Sequence, residues 1–406
     1  MEISNKNKMN RMFLFSSLAL IGLFAASASP IPLYSNYTVR IDLTKSLISL
    51  TAVFYFVGCI ISLIILSRLA NYIGRKPVAL TALILGLIGL AFLIAAEQPV
   101  MIIIARFFQG LSCGLASSVL SLLIVESGIL KKSSLVTAIS GSAIFLGLGI
   151  GGLLSGALVQ INSNGASLVY WIILLFLVVC LVGIVFSNET LAERRKGALK
   201  SLVPNISIPD KAKPYALPAA FLFITSWSMG GYFQAYSSTV GAEIFNINSP
   251  LLAAIILSMY MIPNPIGIRI GQFFSRTRAQ QVGEILYASS VGLLVVSFTL
   301  QSLILCFIAV LGAGISQGIS YSSAMQNLLD NSKPEEKAGV LSFIYLLSYG
   351  GAALPSFISG RISSVVSFTD ITFAYFILNV ILCLLTLVFL KRMKKVSGRR
   401  KKDATY

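Results

Sequence analysis

Hydrophobic positions in this chain come in long, nearly uninterrupted blocks. A bilayer core takes about 20 apolar residues of helix, and twelve blocks qualify: 12–34, 46–67, 77–96, 98–125, 135–159, 168–187, 215–238, 249–272, 282–300, 303–327, 339–361 and 370–390. They predict an all-α membrane protein of twelve transmembrane helices, numbered 1 to 12 below, with no large soluble domain. The one long polar interruption, SNETLAERRKGALKSLVPNISIPDKAKPY at 187–215, is charged, holds three prolines and shows no apolar periodicity. It reads as a linker, giving a first six-helix bundle at 1–187, a linker at 188–214, a second six-helix bundle at 215–390 and a basic tail at 391–406. The first block imitates a secretory signal, with NKNKMNR before it and AASAS within it. The internal repeat described next needs that helix, so it is read as retained.

The two bundles share their punctuation. An offset of 204 residues carries GLSCGLASS from Gly110 onto GISQGISYS from Gly314, pairing Ser112 with Ser316 and Gly114 with Gly318. The same offset sets Glu126 on Asp330, Gly147 on Gly351, Ser155 on Ser359, Gly156 on Gly360 and Ser67 on Gly271. No gap is needed across this stretch, and acids at loop ends match as well as glycines inside the membrane. Duplicated pseudo-symmetric bundles are the plan of transporters that rock about a midplane site, so a transporter is expected rather than a channel.

Composition agrees. Hydrophobic residues make up 56% of the 406, charged residues only 11%, and mean hydropathy is +0.87, whereas an average soluble domain is roughly 25% charged. The five cysteines, Cys59, Cys113, Cys180, Cys306 and Cys383, lie in apolar stretches without ligand-like spacing and read as small buried hydrophobes. There is no histidine, which removes the commonest metal ligand and the usual neutral-pH proton carrier, so no metal site is expected. A net charge of +17 would suit a nucleic-acid partner, but 27 of the 31 lysines and arginines fall on one side of the expected topology; the others are Arg40, Lys45, Arg106 and Arg361. That bias is the positive-inside rule. Both termini are therefore expected in the cytoplasm, with the protein multi-pass in the inner or plasma membrane and its basic tail against anionic lipid. No nucleic-acid partner is expected, and the chain is expected to act as a monomer.

Three local patterns resemble the major facilitator superfamily, and the resemblance covers essentially the whole chain. SRLANYIGRKP at 67–77 resembles that family's loop between helices 2 and 3; Leu69, Ala70, Gly74, Arg75 and Lys76 match, while Asn71 stands for the family's aspartate and Tyr72 for its first arginine. The charge-paired latch implied by the family is thus weakened or replaced. Its counterpart in the second half keeps Gly271 and Arg276 but has Ser275 where an acid would sit. In helix 4, Arg106-x-x-Gln109-Gly110 resembles the family pattern Arg-x-x-Gln-Gly. Arg106, Gln109, Cys113 and Ser117 share one face through steps of 3, 4 and 4, and an arginine there costs at least ~2.5 kcal/mol on insertion scales. In helix 5, Gly147, Gly151, Gly152 and Gly156 follow in part a glycine pattern of the antiporting, drug-exporting branches, with Gly152 for a proline and Ser155 for a glycine.

The resemblance implies that helices 1, 4, 7 and 10 line a central path. Along it the sequence offers Ser27, Pro30 and Tyr34, then Arg106 and Gln109, then Trp227, Gly231, Gln234 and Ser238, then Gln317 and Tyr321, with Asn264 in helix 8 as a further candidate. An apolar, aromatic cavity with a few amides suits a small amphipathic molecule. None of the 14 acids falls at mid-bilayer in these spans, so neutral, zwitterionic or anionic substrates are favoured over permanent cations. For proton coupling the candidates are Asp42, Glu126 and Asp330.

The expectation is a secondary transporter exporting such a compound in exchange for protons. It would use no cofactor and draw on the transmembrane proton gradient. The alternative on the same fold is a transporter of one metabolite: a sugar, an organic acid or a metallophore. A membrane enzyme finds no reactive cluster here, and a non-transporting receptor would bind without flux. Asn36-Tyr37-Thr38 has the form of a glycosylation sequon on the outer side.

Overall fold

The computed structural model describes residues 2–128, 133–162, 165–191, 197–198, 202–204, 206–333 and 336–403. Lys131, Lys132, Glu193, Arg194, Arg195, Lys196, Lys200, Glu335 and the last three residues of the basic tail lie outside the described residues.

Each apolar block folds as a helix. Helix 1 is Glu2–Ala28, prolonged by a tight turn at Ile31–Leu33 and a short helix at Tyr34–Ile41. Helix 2 is Lys45–Ile61 with a wide turn at Ser62–Leu66, helix 3 Arg75–Ile94, helix 4 Pro99–Ser127, helix 5 Ser133–Ile161 and helix 6 Gly165–Val185. Helix 7 is Lys213–Thr239 with a wide turn at Val240–Ile244, and helix 8 comes in two pieces, Pro250–Met261 and Asn264–Gly271. Helix 9 is Arg276–Thr299, helix 10 Leu303–Asp330, helix 11 Lys337–Ile362 and helix 12 Phe368–Asp403. Eleven of the twelve are long and apolar enough to cross a membrane by length and composition alone. Helix 7 reads as less apolar because its stretch SWSMGGYFQAYSST carries the polar side chains already marked as path-lining.

Local chemistry fixes the boundaries. Thr44, Ser249 and Ser302 each accept a hydrogen bond from the backbone N–H three residues on, capping helices 2, 8 and 10, a satisfaction of otherwise orphaned donors. Pro250 follows its cap at a position where the missing N–H costs nothing. Pro263 breaks helix 8 for the opposite reason: it has no N–H to continue the ladder, so a second piece begins at Asn264.

The chain forms two compact units. One comprises residues 1–204, 232–262 and 356–364; the other comprises 205–231, 263–355 and 365–406. This partition does not follow the linker, because the ends of helices 7, 8 and 11 far from the chain termini pack with the first bundle. Within the first unit, helices 2 and 4 touch backbone to backbone: a Cβ on Gly58 would lie 2.5 Å from the Phe107 carbonyl, one on Gly110 would meet that of Tyr55, and one on Gly114 would lie 2.8 Å from that of Cys59. Within the second unit, a Cβ on Gly318 would meet the Asn264 carbonyl in helix 8 and lie 2.9 Å from Ile268 N, and one on Gly267 would meet the Ile315 carbonyl. Helix 8 is the repeat of helix 2 and helix 10 of helix 4. The offset read in the sequence is thus realised as the same small-residue contact twice. On the termini side of the second unit, Ala219, Leu222, Phe223, Ala324, Leu328, Val340 and Ile344 form a core joining helices 7, 10 and 11.

Candidate functional site

Helix 4 begins at Pro99, so Arg106 stands about two turns, roughly 10 Å, inside it. It is completely buried. Its Nη1 donates to the Ser27 carbonyl and, at 2.9 Å, to Gln109 Oε1; its Nη2 donates to Gln234 Oε1 at 3.4 Å; and the guanidinium lies 4.4 Å from the centroid of the Tyr55 ring. Gln109 Nε2 donates to the Ala26 carbonyl at 2.8 Å and Cys113 Sγ to that of Leu23 at 3.6 Å. The face of helix 4 read from the sequence therefore rests on the end of helix 1. That end explains how the charge is held. Helix 1 stops at Ala28, and its last carbonyls carry the negative pole of the helix, equivalent to roughly half an elementary charge. The partner of Arg106 is a helix terminus, two amides and an aromatic face, with no carboxylate among them. Its Nε remains without a hydrogen bond.

The other path candidates divide between the units. Tyr34, fully buried in the first unit, accepts a hydrogen bond from Thr51 at 2.9 Å instead of joining Arg106; close by in sequence, the hydroxyls of Tyr37 and Tyr170 are 2.7 Å apart. In the second unit, Asn264 Nδ2 donates to Gln317 Oε1 at 3.2 Å and Gln317 Nε2 to the Ser226 carbonyl at 3.3 Å. Trp227 meets Tyr321 and Tyr349 edge-on, with centroids 6.3 and 4.8 Å apart, and Tyr321 shares a hydrogen bond of 3.3 Å with Ser348. Arg106, Gln109 and Gln234 thus make one polar cluster, and Trp227, Asn264, Gln317 and Tyr321 make an aromatic and amide cluster of their own.

The loop before helix 3 is locked, though by other residues than its pattern suggested. Gly74 adopts a φ of 111°, a region that strains any residue with a Cβ. This turn presents the first amides of helix 3 to Glu189, whose carboxylate accepts from Arg75 N and Lys76 N, each at 3.1 Å. Lys76 Nζ donates to the carbonyls of Val185 and Ser187 at 2.6 and 2.9 Å. Arg75 pairs with Glu126 at 2.7 Å, and Thr190 donates to Glu126 at 2.5 Å. Asn71 lies in the one-turn helix Ala70–Ile73 beside this lock. Glu189 and Thr190 were legible only as linker residues, since nothing in a sequence shows which helix N-terminus a distant acid will cap.

Of the proposed coupling acids, Glu126 is held by Arg75, and Asp330, its repeat, pairs with Arg276 at 3.3 Å. Asp42 takes a left-handed φ of 55° just after the short helix that ends at Ile41. One acid was misplaced. Glu284 stood near the edge of a span read as 282–300, but helix 9 starts at Arg276, so Glu284 lies eight residues inside it, fully buried. Arg276 and Arg278 had hidden that first turn from a reading based on hydropathy.

Helix 5 uses its glycines on two faces. A Cβ on Gly147 would lie 2.5 Å from the Ile21 carbonyl, and one on Gly151 would meet that of Ala25, both in helix 1. On the other face, a Cβ on Gly156 would lie 2.6 Å from the Pro250 carbonyl, one on Gly149 would meet Ile262, and one on Gly152 would lie 3.4 Å from Leu257, all along helix 8. Ser155 donates to the Ser29 carbonyl at 2.6 Å, and Ser258 to that of Gly149 at 3.0 Å. Further contacts join the bundles on the side away from the termini: Lys45 pairs with Glu243 at 2.6 Å, Tyr236 meets Ser359 at 2.8 Å, and a Cβ on Gly360 would strike Ser49.

The family model for the Major Facilitator Superfamily matches residues 12–356. The chain belongs to that superfamily. Among curated superfamily members, it is 28% identical over 160 residues to MFS antiporter QDR2 of Candida albicans and 29% identical over 163 residues to MFS antiporter QDR1 of the same organism, in each case over 37% of this chain. It spans only 30% of the length of either. Solved superfamily structures share the fold: the nucleoside transporter NupG at a TM-score of 0.72 and 13% identity, with 93% of this chain and 99% of that one covered, and the human organic anion transporter MFSD10 (TETRAN) at 0.63 and 15%, with 93% and 99% covered. A POT family transporter in complex with 5-aminolevulinic acid superposes at 0.73 and 12% identity, over 95% of this chain and 96% of that one.

Proposed function

We propose that this superfamily transporter exports a small amphipathic organic compound in exchange for protons, by rocker-switch alternating access between its two bundles. The observation that carries the substrate reading is the Arg106 cluster: a buried cation without a carboxylate, its Nε unused, flanked by amides and a tyrosine face. Such a site repels permanent cations and offers a donor to a carboxylate, carbonyl or phosphate oxygen of a neutral, zwitterionic or anionic molecule. Support for exchange comes from the helix-5 glycines packed between helices 1 and 8, and from partial likeness to proteins named as antiporters. The lysine and arginine bias supports cytoplasmic termini in the cell membrane. The chain is proposed to act as a monomer, its tail against lipid.

The decisive experiment is counterflow in proteoliposomes, repeated with an imposed pH gradient. Exchange that accelerates when the gradient opposes the substrate's direction supports proton-coupled export; exchange indifferent to pH removes the coupling. A second reading, a carrier of a single organic acid, is favoured by the same uncompensated arginine. Growth curves across a drug panel and an organic-acid panel separate the two, because protection against several unrelated drugs belongs only to the first.

A further inference from the structure

Helix 9 carries a carboxyl group that none of these contacts uses. Glu284 is fully buried by protein inside the span Arg276–Thr299, and neither of its carboxyl oxygens has a hydrogen-bond partner. Helix 10 packs closely on this turn: a Cβ on Gly283 would lie 2.7 Å from that of Ser320 and 3.1 Å from the Ser316 carbonyl. From helix 12, Cys383 Sγ donates to the main-chain oxygen of Glu284 at 3.4 Å. One turn on, Tyr287 donates to the Ser226 carbonyl of helix 7 at 3.2 Å. The titratable groups shown near Glu284 are the Cys383 thiol from helix 12 and Tyr287 on its own helix, and helix 10 sets the Ser320 hydroxyl and the Ser316 carbonyl against this turn. The nearest charge along helix 9, Arg278, has its guanidinium 5.9 Å from the centroid of the Phe274 ring, and Arg276, two turns back from Glu284, is engaged with Asp330. Among the described residues, Glu284 takes part in no ion pair.

An ionised carboxylate in that position would have no counter-ion, and the donor beside it, the Ser320 hydroxyl, is already engaged with the Ser316 carbonyl at 3.2 Å, so the charge would be buried without compensation. One turn earlier stands Gln280, equally buried, with its Nε2 donor also unpartnered. Residues four apart on a helix are neighbours. An orphan donor and an orphan acid therefore share one face, and folded proteins leave few such groups without a reason. The reason is supplied if the two meet in a second arrangement, when the acid has lost its proton.

We propose that Glu284 is a proton-binding site of the second bundle, closed while helices 9, 10 and 12 pack as seen and discharged when they part. On discharge the carboxyl O–H bond breaks, its electron pair stays on the carboxylate, the proton passes to entering water, and Gln280 Nε2 donates to the new anion. The proposal rests on the proton-coupled reading above and supplies the acid which that reading lacks.

The test begins without any substrate. Thermal unfolding of the purified wild type and of Glu284→Gln is followed from about pH 6 to pH 9, where ionisation of a group held neutral by folding lowers stability. The wild type is expected to lose stability as pH rises while the neutral isostere stays flat, and dicyclohexylcarbodiimide is expected to modify residue 284 progressively less over the same range. Parallel unfolding profiles, or labelling of residue 284 that is absent or independent of pH, overturn the site. In proteoliposomes with norfloxacin, an amphipathic zwitterion, as probe, Glu284→Gln is expected to keep counterflow and lose gradient-driven transport, with Glu284→Asp restoring part of it. Gradient-driven transport that survives Glu284→Gln sinks the site and leaves the coupling reading standing. A wild type that titrates at residue 284 yet ignores the gradient sinks the coupling reading and leaves the site.

Discussion

A guanidinium held by peptide dipoles rather than by an acid is free to exchange ligands. Removing Arg106 leaves Gln109, Gln234 and the end of helix 1 facing one another, and deletes charge-assisted bonds of about 1.5–3 kcal/mol each. Arg106→Ala is therefore expected to abolish transport in proteoliposomes. Arg106→Lys should fold but transport at least ~10-fold more slowly, since a lysine cannot bridge two amides in one plane. Asp42→Asn should leave the rate largely intact. Near-wild-type rates for Arg106→Ala would show that the arginine is structural. The residue types of this site were legible, because arginine and glutamine three apart in an apolar helix stand out; what held the charge was not. Neither a helix terminus nor the Tyr55 ring in the neighbouring helix has any mark in the sequence that says where it points.

At the scale of helices, small residues decide which elements touch. Gly114→Val forces a branched side chain against the Cys59 backbone, and overpacking of that kind costs typically ~1–3 kcal/mol. A lower melting temperature in detergent is the expected outcome, and its repeat Gly318→Val should act alike against Asn264. Gly156→Leu is aimed at the helix 8 contact instead. It should leave folding of the first bundle intact while blocking closure on that side, read as loss of exchange with retained monodisperse elution; unaltered exchange would exclude the glycines from the gate. Helix existence and pairing were legible here from apolar blocks and the repeated glycines. Boundaries were less so: charged first turns such as that of helix 9 are invisible to hydropathy, although they extend a helix as well as any other residue.

For the whole molecule, the duplication was the strongest message of the sequence, and it reappears as matched contacts, helix 2 on 4 and helix 8 on 10. The compact units were not legible. They depend on the ends of helices 7, 8 and 11 packing within the first unit on the side away from the termini, contacts that no motif in the sequence marks. Lys45 and Glu243 pair on that side with both side chains partly exposed, so Lys45→Cys with Glu243→Cys should be bridged by a short thiol-specific bis-methanethiosulfonate and stop counterflow, with reductant restoring it. The five native cysteines are buried and need not be removed for the assay. Transport that continues after complete cross-linking would rule out opening on that side.

The carboxylate that caps helix 3 also sets an order of events during synthesis. Glu189 and Thr190 follow helix 6 directly, so the lock on Arg75, Lys76 and Glu126 has all its parts as soon as residue 190 is made. Arg106 has to wait for Gln234. A released chain truncated after residue 191 should therefore already protect its lock from proteases, yet hold Arg106 short of the ligand that helix 7 supplies.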